Sequence, residues 1–202
     1  MTETDTGSIV IGVVKKLDEK TPGRVTVTFP HQGSCESESC AVVTPMGGDG
    51  RGIVFLPEPG DHVLVALEQG NPDRGYILGA VWSKNQPPPK LDGKPAENNL
   101  RLIRSRSGHE FRLDDTKGRE KIEIVDKDGK RKVVIDTAGK KIQIVCESGD
   151  VEVTAGTGNV TVKAESGDVK VNGKSVAITA SADLTIKATG SLTLKGATVN
   201  IN

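Results

Sequence analysis

Two nearly identical stretches decide how this chain folds: Glu147-Ser-Gly-Asp-Val-Glu-Val153 and Glu165-Ser-Gly-Asp-Val-Lys-Val171. Both belong to a longer series, residues 121–202, in which two apolar residues flank a single other residue and glycine separates most pairs. The pairs are Ile122/Ile124, Val133/Ile135, Ile142/Ile144, Val151/Val153, Val160/Val162, Val169/Val171, Val176/Ile178, Leu184/Ile186, Leu192/Leu194 and Val199/Ile201. A repeat of this kind predicts short strands stacked on one another. We call this series the ladder.

The spacing of the ladder limits the kind of stack. Successive pairs begin 11, 9, 9, 9, 9, 7, 8, 8 and 7 residues apart, which fits a strand of about five residues followed by a turn of three or four. This period is too short for a propeller blade. The chain has no aromatic residue after Phe111, so the inward positions hold Val, Ile and Leu and predict a narrow, dry interior. Interleaved chains and a single-chain parallel β-helix, which usually takes longer coils, both remain open at this point.

Composition excludes several classes of protein. The 202 residues include 27 basic and 27 acidic side chains, so no overall field attracts nucleic acid or an anionic membrane. No apolar run approaches the roughly 18 residues of a membrane span. The N-terminus is acidic and polar, without the features of a signal peptide, so we expect synthesis in the cytoplasm. An odd count of three cysteines does not suggest a disulfide framework.

The first part of the chain has the pattern of a small β-barrel. Val25, Val27 and Phe29 alternate with threonines, as in a strand with one buried face. Further strand-like runs are separated by turn signals. These runs are Ile9–Val14, Cys40–Thr44, Gly52–Leu56, His62–Leu67 and Tyr76–Trp82. Five or six short strands without a helical period predict a closed barrel.

Longer motifs in this part resemble one known family. They are Gly50-Arg-Gly-Ile-Val-Phe-Leu-Pro-Glu-Pro-Gly60, Asp61-His-Val-Leu-Val-Ala-Leu-Glu-Gln-Gly-Asn-Pro-Asp-Arg74 and Ser105-Arg-Ser-Gly-His-Glu-Phe-Arg-Leu-Asp-Asp-Thr-Lys-Gly-Arg-Glu120. The chain is similar to central spike proteins of contractile tails, namely the phage baseplate assembly protein V type and the Vgr spikes of injection systems. The resemblance implies an all-β protein in which an N-terminal OB-fold barrel precedes an intertwined, trimeric β-helix.

This resemblance and the composition together predict the domain order. Residues 1–6 form a flexible N-terminus, 7–85 the OB-fold barrel, 86–99 a proline-rich linker and 100–202 the β-helical spike. The linker includes Gln86-Pro-Pro-Pro-Lys90, which favours an extended, stiff conformation.

The function that the resemblance implies is mechanical. A homotrimeric needle would pierce a target envelope as the central spike of a phage-like tail or contractile injection system, incorporated into a tail-like particle. The sequence differs from the larger Vgr form in lacking a hub region before the barrel, and from some phage spikes in lacking a lysozyme domain between barrel and spike. We therefore expect a separate hub protein at the barrel end. The ladder pattern runs to Ile201 without a polar cap, so we expect a PAAR-type tip protein at the other end. Effector cargo is a further partner that the resemblance implies.

Two groups of polar side chains have residue types that could form a catalytic or metal site. His109, Glu110, Asp114 and Asp115 would suit acid/base work or a metal, but hairpin turns hydrogen-bonded by these side chains explain them more simply. His31, Cys35 and Cys40 lack a fourth zinc ligand and the usual spacing, although an oxidising exterior would permit a Cys35–Cys40 disulfide. The sequence predicts no catalytic, cofactor-binding or metal-binding residue.

Two other functions remain as alternatives. OB barrels often bind single-stranded nucleic acid or carbohydrate, but such binding needs stacking aromatics and a basic groove. The barrel has only Phe29, Phe55, Tyr76 and Trp82, all within or at the end of apolar runs, and no basic cluster. A cell-wall hydrolase would need a catalytic insertion, for which no unassigned stretch is present.

Overall fold

The structure, a computed structural model, describes residues 8–91 and 95–201. The expected flexible N-terminus (1–6) and residues 92–94 of the expected linker lie outside the described residues. The chain divides into two compact units, Met1–Gly149 and Asp150–Asn202. In the described part, no helix is long and apolar enough to cross a membrane.

All regular elements of more than three residues are strands. They are β1 (Ser8–Leu17), β2 (Arg24–Phe29), β3 (Cys35–Glu36), β4 (Cys40–Val42), β5 (Gly47–Gly48), β6 (Arg51–Gly52), β7 (His62–Leu67), β8 (Gly75–Ala80), β9 (Leu100–Arg104), β10 (Glu110–Asp114), β11 (Lys121–Val125), β12 (Arg131–Asp136) and β13 (Lys141–Cys146). Short 3₁₀ turns occur at Pro30–Gln32, Glu68–Gly70 and Pro95–Glu97. The all-β prediction is confirmed.

Five strands close into the predicted barrel. The strands follow the order β1-β7-β8-β4-β2, and β2 pairs back onto β1. The first and the last strand of this series therefore cover each other's edges. Alternate side chains point inward and form the core. These residues are Val14, Val25, Val27, Phe29, Cys40, Val63, Val65, Leu67 and Ile77. A five-stranded barrel of this kind is the OB-like architecture that the first 85 residues predict.

One predicted barrel strand is wrong. Of the predicted strand Gly52–Leu56, only Gly52 is paired, because β6 consists of Arg51 and Gly52 and pairs with β5. Val54 and Phe55 are exposed. Closure between β1 and β2 leaves no free edge at which this apolar run could join the barrel. The run instead belongs to a protruding arm, residues 44–56, whose base is fixed by the Thr44 hydroxyl donating to the carbonyl of Ile53 at 2.7 Å.

The strands β9–β13 form a second sheet, in which each strand pairs antiparallel with the next along the chain. Residues 100–104 of β9 pair with residues 110–114 of β10. The first three ladder pairs do form strands, but as an antiparallel meander rather than the stacked coils expected from residue 121 onward. Tight turns make this possible, as at Gly129, which takes a φ of +71° between β11 and β12.

The remaining ladder, residues 150–201, behaves differently. Among its described residues, no segment pairs as a strand with another part of the chain. Its apolar pairs are exposed, for example Val162 at 75%. The single-chain parallel β-helix that the spacing left open is therefore not the structure of one copy. A single copy provides no partner strands for this segment.

A small polar cluster fixes the start of the expected linker to the barrel. Ser83 and Gln86 exchange backbone hydrogen bonds of 2.9 and 3.1 Å. The Gln86 side chain donates to the carbonyl of Gly60 at 2.9 Å and lies 2.8 Å from His62 Nδ1. Farther on, Arg106 of the second sheet's first hairpin forms a 2.9 Å ion pair with Glu58 of the barrel.

Close packing inside the barrel predicts an asymmetric response to two glycine substitutions in β8. A Cβ on Gly75 would lie 2.5 Å from the sulfur of buried Cys40, whereas a Cβ on Gly79 would meet nothing within 4 Å. We expect Gly75→Ala to lower the free energy of unfolding by about 1–3 kcal/mol through overpacking. The matched variant Gly79→Ala is expected to be neutral or slightly stabilising. Urea unfolding of both variants checks this, and equal effects would contradict the packing described.

Candidate assembly surfaces

The sheet β9–β13 carries an apolar face made of two rows across five strands. One row joins Ile103, Phe111, Ile124, Val133 and Ile144 in register, and the other joins Leu113, Ile122, Ile135 and Ile142. Residues that are paired directly across a sheet point to the same side. We call these nine side chains the apolar face.

The apolar face is exposed in the single chain. Eight of the nine side chains are exposed, for example Ile142 at 72%. Leu113 is partly buried. Monomeric soluble proteins rarely expose contiguous apolar patches of this kind, and larger ones mark interaction sites. This surface is therefore the strongest candidate for assembly.

The opposite face of the same sheet is mixed, because Leu102, Val125, Val145 and the buried Val134 lie there among charged side chains that pair with one another. Glu110 is only 8% exposed. Its carboxylate forms ion pairs with Arg112 on its own strand and with Arg104 of β9, the latter at 3.2 Å. Lys121 and Glu123 pair at 3.1 Å on β11. Because its charges are already paired within one sheet, this face has little need of a partner.

The spacing of apolar pairs along the sequence does not change after the last strand of the sheet. Ile142 and Ile144 on β13 are followed nine residues later by Val151 and Val153. Each of the later pairs is at least half exposed. A partner that covers the end of the sheet therefore meets the same apolar spacing in the residues that follow.

The barrel has an apolar surface of its own. Ile9, Ala66, Tyr76 and Ala41 lie in register across β1, β7, β8 and β4 on the outside of the barrel, and Leu78 is exposed beside them. We call this row the barrel belt. Next to β4, the arm borders a groove of about 460 Å³ whose lining includes Val43, Met46, Ile53, Phe55 and Pro22. These surfaces suit protein contacts.

The acid/base cluster considered from the sequence is used in structural hydrogen bonds. The backbone N–H of His109 donates to Ser105 Oγ at 3.0 Å, and His109 Nδ1 accepts from the backbone N–H of Lys127 at 3.2 Å. Asp115 forms a 3.0 Å ion pair with Arg101. Glu110 is held between its two arginines. These contacts support the simpler explanation, in which the side chains fix turns and strand pairs.

The side chain of Asp114 closes the turn after β10. Its Oδ1 accepts the backbone N–H of Thr116 at 2.9 Å. Hydrogen bonds from the Thr116 side chain and then from its backbone N–H hold the pKa of this carboxyl below its usual value of 3.8. Such a carboxylate is a stabilising turn residue and is poorly suited to act as a general acid, since it keeps no proton at neutral pH.

The cysteine and histidine residues of the loop after β2 do not meet. Cys35 pairs with Phe29 and Cys40 pairs with Val25, four residues away on the same strand. That offset places the two cysteines roughly 13 Å apart, whereas a disulfide needs Cα atoms within about 7 Å. The Cys35–Cys40 disulfide is therefore excluded in this fold. Both thiols are free, and no group of three potential metal ligands occurs in the described ranges.

Sequence reasoning did not anticipate how the barrel aromatics are placed. Phe29 is buried in the core, but Tyr76 is 45% and Trp82 69% exposed, and Phe55 lies exposed on the arm. The alternation of β8 around the buried Ile77 was the available signal, since it sends Tyr76 and Leu78 outward. The exposed Tyr76 is surrounded by apolar neighbours of the barrel belt rather than by a basic groove.

These features define an OB-fold protein with large apolar assembly surfaces. The profile of the Type VI secretion system/phage-baseplate injector OB domain matches residues 10–82. Type VI secretion system spike protein VgrG1a of Pseudomonas aeruginosa is 31% identical over 113 residues, which cover 50% of this chain and 18% of the relative. The spike proteins VgrG1b and VgrG1c of the same organism are 31% and 32% identical over 113 residues, covering 15% and 16% of their lengths.

The barrel part of the chain is therefore similar to the OB domain of Vgr and phage-baseplate spike proteins. The match spans less than a fifth of each of these relatives and half of this chain, including the barrel. The relationship therefore supports a spike or baseplate role through the OB domain. It is also consistent with incorporation into a tail-like particle.

The depressed pKa of Asp114 predicts a pH dependence of stability. The ionised carboxylate stabilises the folded state above the usual aspartate pKa, and this contribution is lost as the pH falls below about 4. The stability difference between wild type and Asp114→Asn should therefore shrink on going from pH 6 to pH 3. Urea unfolding at several pH values measures this, with Thr116→Val as the control that removes the hydroxyl donor. An Asp114 carboxyl titrating above its usual value in NMR would contradict the prediction.

Proposed function

We propose that this protein is the homotrimeric central spike of a contractile injection system or phage-like tail. In this proposal, the barrel is the base, the sheet β9–β13 follows it along the chain, and residues 150–201 of three chains form an intertwined β-helical needle. The observation that carries it is the exposed ladder, which one chain leaves without partner strands. The family relationship of the barrel supports the same assignment.

Three interleaved chains would remove the physical problem that one chain has. An isolated strand exposes unpaired N–H and C=O groups along both edges, which favours uncontrolled association. In an interleaved prism, each strand is covered above and below by strands of other chains, and the apolar pairs point to a common interior. At a strand spacing of about 4.8 Å, the seven ladder strands per chain in residues 150–201 give a needle on the order of 30 Å long.

The mechanism we propose is mechanical. Contraction of a sheath would drive the needle into a target envelope and concentrate the force on a small area. Stiffness would come from the repeated apolar contacts between neighbouring units. No residue is proposed to act in catalysis or to bind a cofactor or metal, because the candidate acid/base residues already serve turns and ion pairs.

Three kinds of partner follow from this proposal. The barrel belt and the groove beside the arm would dock on a baseplate hub protein, since both are apolar and exposed. A PAAR-type tip protein would bind exposed apolar ladder residues of three chains, among them Val199 and Ile201. Effector cargo carried by the spike is the third kind of partner.

A second candidate function has one observation in its favour. The exposed Phe55, Tyr76 and Trp82 could stack on bases or sugar rings, as in other OB barrels. A filter-binding assay with single-stranded oligonucleotides would support this function if binding were tight and weakened by salt. We expect no such binding, because the surroundings of Tyr76 are apolar.

The solution mass tests the trimer. We expect a species of three times 21.3 kDa, resistant to SDS unless boiled, because interleaved chains separate only when the whole ladder opens. Sedimentation equilibrium and unboiled gel electrophoresis measure this. A well-behaved monomer at high concentration would refute the proposed function.

The tip partner is tested by native mass spectrometry with a PAAR-type protein. We expect one tip protein per three chains. Ile201→Asp should weaken this complex, because it places a charge in the proposed apolar contact, whereas the adjacent Asn200→Asp should leave it intact. Absence of any complex, or equal loss in both variants, would remove the proposed tip contact.

A further inference from the structure

The central part of the ladder, residues 133–171, defines only weakly how three chains are aligned. Residues 147–153 and 165–171 are identical at six of seven positions. A chain displaced by 18 residues would bring these two stretches together, and a displacement of nine would place each of the four pairs from Val133/Ile135 to Val160/Val162 on the next pair. Repetitive strands specify their register weakly. For this central part, the correct alignment needs support from another part of the molecule.

The ladder is also a poor place for association to begin. Its described residues from 150 to 201 pair with no other part of the same chain. The first contact there would have to order three separate segments at once, before any strand hydrogen bonds offset the lost conformational entropy.

The sheet β9–β13 has the opposite properties. Its strands pair with their neighbours along one chain, so its register is fixed before any second copy arrives. Its apolar face is not repetitive, because it contains Phe111, the last aromatic residue of the chain, and one row ends at Arg101 opposite Leu113. Two copies displaced along this face would lose matching contacts.

We propose that the apolar face of β9–β13 is the surface at which copies of this chain first associate, and that it sets the common register before the ladder assembles from residue 150 onward. The proposal rests on the three-chain spike described above. The ladder would then close strand by strand from an alignment that is already correct, which is the order expected when local contacts form before distant ones.

Two observations identify a second copy as the occupant of this face. The apolar pairs of β13 continue at the same nine-residue spacing into Val151 and Val153, so a partner that covers both regions needs the same spacing, which copies of this chain have. The formal net charge of the chain is zero, with 27 residues of each sign, so copies approach without net repulsion. The opposite face is already occupied by its own ion pairs.

Three double variants of the full chain test this proposal, each adding two carboxylates. Ile124→Asp with Ile135→Asp charges the apolar face and should abolish association altogether. Val162→Asp with Ile178→Asp charges the ladder. The chains should still associate through the sheet, and trypsin should cut only at the lysines of residues 150–202. Gln143→Asp with Val145→Asp charges the opposite face and should leave the complete trimer. Sedimentation and mapping of the tryptic fragments give the readout.

Refolding of the wild-type protein provides a measurement that does not depend on variants. Resistance to a brief trypsin pulse should appear in residues 100–146 before it appears in residues 150–201. The proposal is overturned if the ladder is protected first or at the same time as the sheet, or if the ladder variant fails to associate. In each of these cases, the wild type would still be a trimeric spike. A monomeric wild type would instead remove the proposed function itself.

Discussion

A β-strand is stable only when other strands satisfy its edges and its apolar side chains leave water, and this constraint governs the whole chain. The barrel meets it alone, by pairing β2 back onto β1. The sheet β9–β13 meets it in part, with its strands paired but its apolar face open. Residues 150–201 do not meet it in one copy. The need for partners therefore increases steadily along the chain.

This gradient gives each part a different role in the proposed spike. The barrel can fold first and present the barrel belt and arm to a baseplate component. The second sheet has one face whose charged side chains pair within the chain. Its other face is apolar and exposed until copies of the chain cover it. Arg106 and Glu58 connect this sheet to the barrel. The ladder contributes length and stiffness only after association, so assembly precedes function in this account.

Much of this architecture could be predicted from side-chain alternation. Val25, Val27 and Phe29 identified a core strand, and Ile122/Ile124 identified β11. Alternation does not reveal the direction of pairing, because parallel and antiparallel strands share a period of two, and so the meander was missed. The pattern around Val54 and Phe55 predicts a barrel strand that the structure lacks, since local sequence does not show that the barrel closes between β1 and β2. The absence of a cysteine pair depended on strand register, which spacing along the chain does not give.

The central claim is that the backbone of residues 150–201 is paired with other chains in the working protein. Native-state hydrogen exchange of the full-length protein, read by peptide, measures this most directly. The account predicts that ladder amides exchange as slowly as those of β9–β13 and that this protection disappears on dissociation. Ladder amides that exchange at the rate of an unfolded chain, in a protein whose barrel is intact, would contradict it.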